Sequence, residues 1–202
     1  MRVLGWCGLR GRSSGGCRLA APLLVVLLAS CTSLIAGRPS AIYDLSAPGE
    51  PQPSQGRAQI LVPEPTTVAA LNTDRIAARP TPAEYAYLPD AVWSDRLPKL
   101  LQQRLVQTLQ NSGRARAVAV PGQGILVDIQ LAVDVRAFEL SGEGAVADFV
   151  VRVMDDRNGK VLGTQAFRHV VPVTSRSNSA VVQALDQAMD QAYVEIANWA
   201  LR

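Results

Sequence analysis

The stretch that decides the fold reads Ile125-Leu126-Val127-Asp128-Ile129-Gln130-Leu131-Ala132-Val133-Asp134-Val135-Arg136. Apolar residues stand at every second position, and most positions between them are polar. Because successive side chains of a strand point to opposite faces, this alternation is typical of a strand with one buried face. We therefore predict a long half-buried strand from Ile125 to Arg136.

Two more strands are predicted directly after it. Residues 141–144 (Ser-Gly-Glu-Gly) have turn composition, and residues 147–153 alternate again between apolar and polar. Asn158-Gly159 then stands between two strand patterns, which is the strongest short signal for a hairpin. The third strand is predicted at residues 161–173, with Pro172 near its end or at an edge. Together the three strands predict an antiparallel meander.

Two long amphipathic helices are predicted on either side of the meander, from Asp90 to Asn111 and from Ser179 to Leu201. Pro98 lies in the first turn of the earlier helix or kinks it, and the sequence leaves both options open. The apolar residues recur at helical spacing. They are Trp93, Leu97, Leu100, Leu101, Leu105 and Leu109 in the first helix and Val182, Leu185, Met189, Tyr193, Ile196 and Ala200 in the second.

Shorter strands are predicted in the first half of the chain, at residues 41–45, 59–62, 75–79 and 84–88. The predicted fold class is α+β, with a mainly antiparallel sheet, a mixed one being left open, and the two helices packed on it. Residues 41–202 are expected to form this single domain.

The first 30 residues have the organisation of a lipoprotein signal peptide. Four arginines and no acids precede an apolar run from Leu19 to Ala29, which is short for a membrane span. A buried helix or a membrane anchor is the alternative. The run ends in Leu28-Ala29-Ser30-Cys31, which resembles the bacterial lipobox. That resemblance implies a diacylglycerol and an N-acyl chain, such as palmitate, on Cys31 as the lipid anchor.

Removing such a leader changes what the composition means. The whole chain has 202 residues, a net charge of +3 and a pI near 9.0. Without the leader's four arginines, 16 basic side chains face 17 acidic ones, so the basic pI belongs to the export signal. Only Cys31 of the three cysteines remains, so we expect no disulfide. Residues 31–40 are expected to form a lipidated tether, and Thr32, which is not Asp, favours the outer membrane over the inner by resemblance to lipoprotein sorting.

Few residues suggest catalysis or a metal site. His169 is the only histidine, so neither a catalytic His pair nor a common metal site can be assembled around it. Asp155-Asp156 precede a turn and lack EF-hand spacing. Asp128 and Asp134 stand roughly 20 Å apart along one strand, too far for an acid–base pair. We therefore predict a protein that is not an enzyme and needs no cofactor beyond its covalent lipid.

Nucleic-acid binding is also disfavoured. Arg114 and Arg116 are only a two-residue patch, and Gly122-Gln123-Gly124 lacks the third glycine and the helix of a phosphate loop. The aromatic residues Tyr85, Tyr87 and Trp93 allow two interpretations. They pack in the core, or they form a partner surface, where Tyr and Trp are favoured anchors.

Several blocks in order resemble the ABC-type transport auxiliary lipoproteins, the PqiC/YmbA-like family. They cover roughly residue 42 to the C-terminus. The blocks are Ala41-Ile42-Tyr43-Asp44-Leu45, Leu61-Val62-Pro63-Glu64-Pro65, Leu71-Asn72-Thr73-Asp74-Arg75-Ile76-Ala77, Trp93-Ser94-Asp95-Arg96-Leu97-Pro98-Lys99-Leu100-Leu101, Val135-Arg136-Ala137-Phe138-Glu139 and the closing helix with Trp199.

The resemblance implies a non-enzymatic periplasmic subunit of a lipid transporter. Its partners would be an MCE-domain protein and the associated ABC permease and ATPase, which it would dock at the outer membrane in support of envelope integrity. Some members of the family can form rings, so the resemblance is compatible with a homo-oligomer, of which no sequence feature fixes the size. The competing hypothesis is a structural or assembly lipoprotein that serves another outer-membrane biogenesis machine, and an inner-membrane location is the less favoured alternative.

Overall fold

The computed structural model describes residues 41–202. The predicted signal peptide (residues 1–30), the lipobox with Cys31, and the tether (residues 31–40) lie outside the described residues. The elements follow one another as β1 (Ala41–Tyr43), β2 (Gln59–Leu61), β3 (Thr66–Thr67), β4 (Arg75–Thr81), β5 (Glu84–Trp93), α1 (Leu97–Asn111), β6 (Ala117–Ala119), β7 (Ile129–Ser141), β8 (Gly144–Asp155), β9 (Val161–Val171) and α2 (Asn178–Ala200).

The three longest consecutive strands form the predicted meander. β7 pairs with β8 from Ile129↔Asp155 to Ser141↔Gly144, and β8 pairs with β9 from Ala145↔Val171 to Met154↔Val161, both antiparallel. The odd-numbered residues of β8 from Ala145 to Val153 are all buried, as the alternation predicts.

The other edge of β7 is covered by short strands that run parallel to it. β2 pairs at Ile129 and Gln130, β3 at Asp134 and Val135, and β4 at Leu140 and Ser141. β1 also runs parallel to β5, and β2 parallel to β6. The sheet is therefore an open mixed sheet in an α+β fold. The expectation of a mainly antiparallel sheet was drawn from the long strands and missed these short parallel pairings.

The start of β7 was predicted four residues too early. Its first pair is Ile129↔Asp155, and β8 ends at Asp155, so the residues before Ile129 have no β8 residue to pair with. Ile125 is 38% exposed although it continues the alternating pattern, and its neighbour Leu126 is 86% exposed. Alternation alone therefore did not fix the start of the strand.

β7 also contains a bulge at Arg136. The register shifts between Val135 and Ala137, so one extra residue enters the strand there. Before the bulge Val133 and Val135 face the core, and after it the core position passes to Phe138, which is 1% exposed. Glu139 consequently points to the opposite face of the sheet.

Helix α1 begins at Leu97 and not at Asp90. Residues 90–93 instead complete β5, where Ala91 and Trp93 pair with Ala41 and Tyr43 of β1. Pro98 lies at the first positions of the helix, where its missing N–H costs no hydrogen bond, which decides between the two options the sequence left open. Helix α2 matches its prediction to within one residue at each end.

The core lies between the sheet and the two helices. Phe149 of β8 has its ring centroid 5.5 Å from that of Tyr193 and 6.3 Å from that of Phe138. The buried Tyr193 hydroxyl of α2 donates a hydrogen bond of 3.0 Å to the carbonyl of Leu101 in α1, which fixes the two helices against each other. Neither helix within residues 41–202 has the length and apolar character needed to span a membrane.

Candidate functional site

The β4–β5 hairpin stacks two arginines on two tyrosines. The guanidinium of Arg75 lies 3.8 Å from the ring centroid of Tyr87, and that of Arg79 lies 4.6 Å from the ring centroid of Tyr85. Both distances are within the range of a cation–π interaction. Tyr85 and Tyr87 are two residues apart on one strand, so both stand on the same face. We call these four residues the tyrosine–arginine surface.

Arg79 is held by hydrogen bonds on all three of its nitrogens. Nε and Nη2 donate to the carbonyl of Pro82 at 3.3 and 3.0 Å, and Nη1 donates to the Tyr85 hydroxyl and to Oε1 of Glu139, both at 3.2 Å. The hydrogen bond to Glu139 raises the pKa of Arg79, and burial, then the Glu139 charge, raises the pKa of Tyr85. Both shifts favour the forms in which Arg79 is charged and Tyr85 is protonated.

Glu139 is a buried carboxylate behind this surface. Its side chain is 4% exposed, and the bulge at Arg136 is what turns it away from the core. Its Oε1 accepts from Arg79, whereas Oε2 has no hydrogen-bond partner among residues 41–202. It lines a cavity of about 420 Å³ with Arg79, Val146 and Arg168. The arrangement can hold the hairpin in place, and it leaves an acceptor for one further donor.

The structure divides the three aromatic residues that the sequence singled out. Trp93 is 2% exposed and contacts Phe138 with ring centroids 5.9 Å apart, which agrees with the core interpretation. Tyr85 and Tyr87 are half-buried and have their rings covered on one side by arginines. The predicted partner surface is consequently confined to the two tyrosines and stays a prediction for them.

The acidic residues considered for chemistry serve local structure. Asp128 accepts from the backbone N–H of Gln59 and from Arg157, and Asp134 accepts from the Thr66 hydroxyl. Asp155 accepts from the N–H of Arg157 in the hairpin turn. Within the described part of the chain no three His, Cys, Asp or Glu side chains are grouped to hold a metal ion.

The remaining candidates also have structural surroundings. His169 Nε2 lies 3.2 Å from Oε2 of Glu195, so strand β9 and helix α2 meet there. Gly122 and Gly124 both have positive φ in a loop, at 91° and 67°. Arg114 donates to the Asn198 side chain at 2.9 Å and to the Leu201 carbonyl at 2.7 Å, and so fastens the end of α2.

Sequence reasoning missed Arg75, Arg79 and Glu139. A signal was present for the first two, since arginines four apart on one strand precede tyrosines two apart on the next. Whether the two sets meet depends on the hairpin register, in which Ala77 pairs with Tyr87 and Ala78 with Ala86. Glu139 carried no signal, because the bulge reverses the face that its position predicts.

Comparison with known proteins places this chain in a family. The family model for the ABC-type transport auxiliary lipoprotein component matches residues 43–197. An uncharacterised protein of Bradyrhizobium diazoefficiens is 30% identical over 161 residues, which is 78% of this chain, and the chain spans 44% of the length of that relative.

Solved structures agree with the fold. The crystal structure of a protein from Xanthomonas campestris superposes with a TM-score of 0.74 at 29% identity, covering 80% of this chain and 95% of that one. A second crystal structure, of an uncharacterized protein, gives a TM-score of 0.64 at 18% identity over 80% of this chain and 99% of the other, and supports the fold alone. The chain belongs to the family of ABC-type transport auxiliary lipoprotein components.

Proposed function

We propose that the chain is a non-enzymatic, lipid-anchored periplasmic subunit of an MCE/ABC-type lipid transport system. It docks the transporter assembly at the outer membrane and supports envelope integrity. Membership of a family of auxiliary transport lipoproteins supports the general role. The observation that carries the docking role is the tyrosine–arginine surface, which presents aromatic rings and fixed cations on one hairpin.

Tyrosine and arginine are, together with tryptophan, the residue types enriched at the energetic centres of protein interfaces. On this hairpin they are already ordered, because the Arg79 guanidinium is tied to Pro82, Tyr85 and Glu139. The Tyr87 hydroxyl donates to the carbonyl of Ala70 at 3.1 Å, which fixes the second ring. A surface ordered in advance loses little side-chain freedom on binding, so more of the contact energy appears as affinity.

The anchor is proposed at Cys31, with Leu28, Ala29 and Ser30 as the lipobox. The Cys31→Ala variant is expected to lose labelling by radioactive fatty acid and to accumulate as an uncleaved precursor. Unchanged labelling would refute this anchor.

The outer-membrane location is tested by membrane fractionation. We expect to find the chain in the outer membrane and expect Thr32→Asp to move it to the inner one. Inner-membrane recovery of the unchanged chain would contradict the location.

The docking role is tested by affinity purification from native membranes with the anchor intact. We expect the unchanged chain to recover an MCE-domain protein with ABC subunits, and Tyr85→Ala combined with Tyr87→Ala to reduce that recovery by more than about tenfold, the effect of losing interface anchors. Leu126→Ala is the matched control, since Leu126 is 86% exposed and lies away from the hairpin.

Two results would count against the proposal. Recovery of outer-membrane assembly factors in place of transporter subunits would favour the structural or assembly lipoprotein instead. Equal recovery by the tyrosine variant and by the Leu126→Ala control would show that docking uses another surface.

A further inference from the structure

A second, separate surface feature lies at the end of helix α2. Here Trp199 packs edge-on against Phe167 of β9, with ring centroids 5.7 Å apart and planes at 65°. The indole fits because β9 has Gly163 opposite it, where an added Cβ would stand 3.1 Å from Cζ2 of Trp199. A groove of about 520 Å³ lies beside the ring, within the size range of small-ligand sites. We call it the arginine groove.

The floor of the groove is apolar. Ile129, Val153, Leu162 and Trp199 line it, and Leu162 is 55% exposed on a strand whose outer edge pairs with no other strand among residues 41–202. When an apolar ligand covers a large apolar side chain that is half exposed to water, the apolar surface removed from water favours binding. The floor therefore favours an apolar occupant.

The rim of the groove is cationic, with Arg57, Arg114 and Arg202. In the chain from residue 41 onward, no Asp or Glu carboxylate lies within 4.0 Å of the guanidinium nitrogens of these three arginines. Arg114 donates to Asn198 and Leu201, and a guanidinium has five N–H donors, so three remain for a ligand. This rim therefore favours an anionic group.

The lining also distinguishes between kinds of anionic occupant. All its side chains are Arg, Ala, Ile, Val, Leu, Trp or Gly, and none of these carries a hydrogen-bond acceptor. For the backbone N–H donors of a peptide the lining offers only backbone carbonyls, such as those on the outer edge of β9, and each donor left unpaired on burial has a cost. An acyl chain brings no donor, and its head group needs only donors, which the arginines supply.

We propose that the arginine groove binds a single acyl chain with an anionic head group. The chain lies on Leu162, Val153 and Trp199, and the carboxylate or phosphate head accepts hydrogen bonds from Arg57 and Arg114. The proposal goes beyond docking, because it makes this subunit itself a lipid-binding protein. It is measured on the chain without any transporter subunit, so its failure and the failure of the docking role are distinguishable.

The test uses the full chain, purified from membranes into phosphatidylcholine nanodiscs, and a fatty acid of palmitate length with a diazirine at its end as the probe. After irradiation, mass spectrometry should locate the label on peptides that contain Leu162 and Trp199. Decanoate, undecanoate and dodecanoate should then compete with the probe. Each methylene buried is expected to lower the half-maximal competing concentration about fourfold.

Variants test the two halves of the groove separately. Arg57→Ala combined with Arg114→Ala should weaken labelling about tenfold, the usual effect of losing a charged hydrogen bond, and Arg116→Ala is the matched control outside the groove. Leu162→Gln changes an exposed residue and is expected to keep the fold while reducing labelling. Methyl laurate, which has no charge, should compete less well than dodecanoate.

Several outcomes would overturn the proposal. Equal labelling at Val68 and Val194, which are 52% and 44% exposed outside the groove, would indicate unspecific contact with the bilayer. Competition independent of chain length would exclude acyl burial, and equal labelling of the double arginine variant would exclude the head-group contacts. Competition by an acidic peptide but not by dodecanoate would assign the groove to a protein partner.

Discussion

The tyrosine–arginine surface and the arginine groove both contain arginines, but these arginines differ in how many of their N–H donors are bonded within the protein. On the hairpin, Arg79 makes four hydrogen bonds to neighbours within the protein. In the groove, Arg114 makes two, and Arg57 has no hydrogen bond or ion pair to another residue of the described chain. An arginine whose donors are filled stiffens a surface, whereas one with free donors can bind an anion. The first region is thus suited to a preformed protein contact and the second to a charged ligand.

The largest effect is expected from Glu139→Gln. This variant removes the charge that pairs with Arg79 while keeping the side-chain shape, and a charged hydrogen bond at a buried carboxylate contributes about 2 kcal/mol. Urea denaturation should show that loss. Glu143→Gln is the control, because its contact with Arg168 joins two side chains that are 65% and 47% exposed and should contribute less than about 1 kcal/mol. Equal losses in both variants would remove the distinction between a buried and an exposed ion pair.

A smaller effect is expected from Tyr87→Phe. The variant keeps the ring that Arg75 covers and removes the 3.1 Å hydrogen bond to the Ala70 carbonyl, at about 1 kcal/mol in the free energy of unfolding. Partner recovery should fall less than in Tyr87→Ala, since the aromatic face remains.

Leu162→Gln in the groove should change stability by less than about 0.5 kcal/mol. A larger loss there would mean that the groove, too, is part of the folded core.

The pH dependence should separate the two regions at alkaline pH. Burial raises the pKa of Tyr85 above the ordinary 10.0, so the folded state holds this proton more tightly than the unfolded state. Its contribution to stability is therefore fully present below pH 10 and is lost as the pH rises through the raised pKa. Tyr85→Phe should show a shallower fall in stability than the unchanged chain as the pH rises above 10. Arg57→Ala should follow the unchanged chain, and a difference for that variant would contradict the assignment.

The smallest effect distinguishes the two rim arginines. Arg114→Ala removes the hydrogen bond to the carbonyl of Leu201, the residue directly after α2, and should cost about 0.5 kcal/mol, as expected for a cation at a helix C-terminus. Arg57→Ala should leave the thermal midpoint unchanged while reducing ligand binding. If Arg57→Ala destabilised the chain as much as Arg114→Ala, the donors of Arg57 would not be free.

The sequence predicted the elements whose patterns are local. The Asn158-Gly159 turn, the alternation in β8 and the apolar positions of α2 each follow from neighbours along the chain, and the structure confirms them. The predicted start of α1 was wrong, because Trp93 continues the helical spacing of the apolar residues although it belongs to β5. Pairing partners decided that boundary, and they lie far away in sequence.

The candidate site was predictable only in part. Tyr85 and Tyr87 were singled out by residue type, but their arginines became neighbours only through the hairpin register. The arginine groove contains Arg57, Arg114 and Trp199 from three distant segments, and Gly163 leaves room for the indole, so no local motif predicts it. Trp93 was placed with the tyrosines because it is close in sequence, yet its side chain points into the core.

The extra residue at Arg136 changes which residues of β7 face the core. Up to Val135 the odd-numbered residues face the helices, and beyond it the even-numbered ones do. If Arg136 were paired in a regular strand without the bulge, the odd-numbered residues would face the helices throughout, which would bring Glu139 inward and turn Phe138 outward. The position of the buried Glu139 carboxylate near the end of β7 thus depends on the bulge in the middle of the strand and not on the residues beside Glu139.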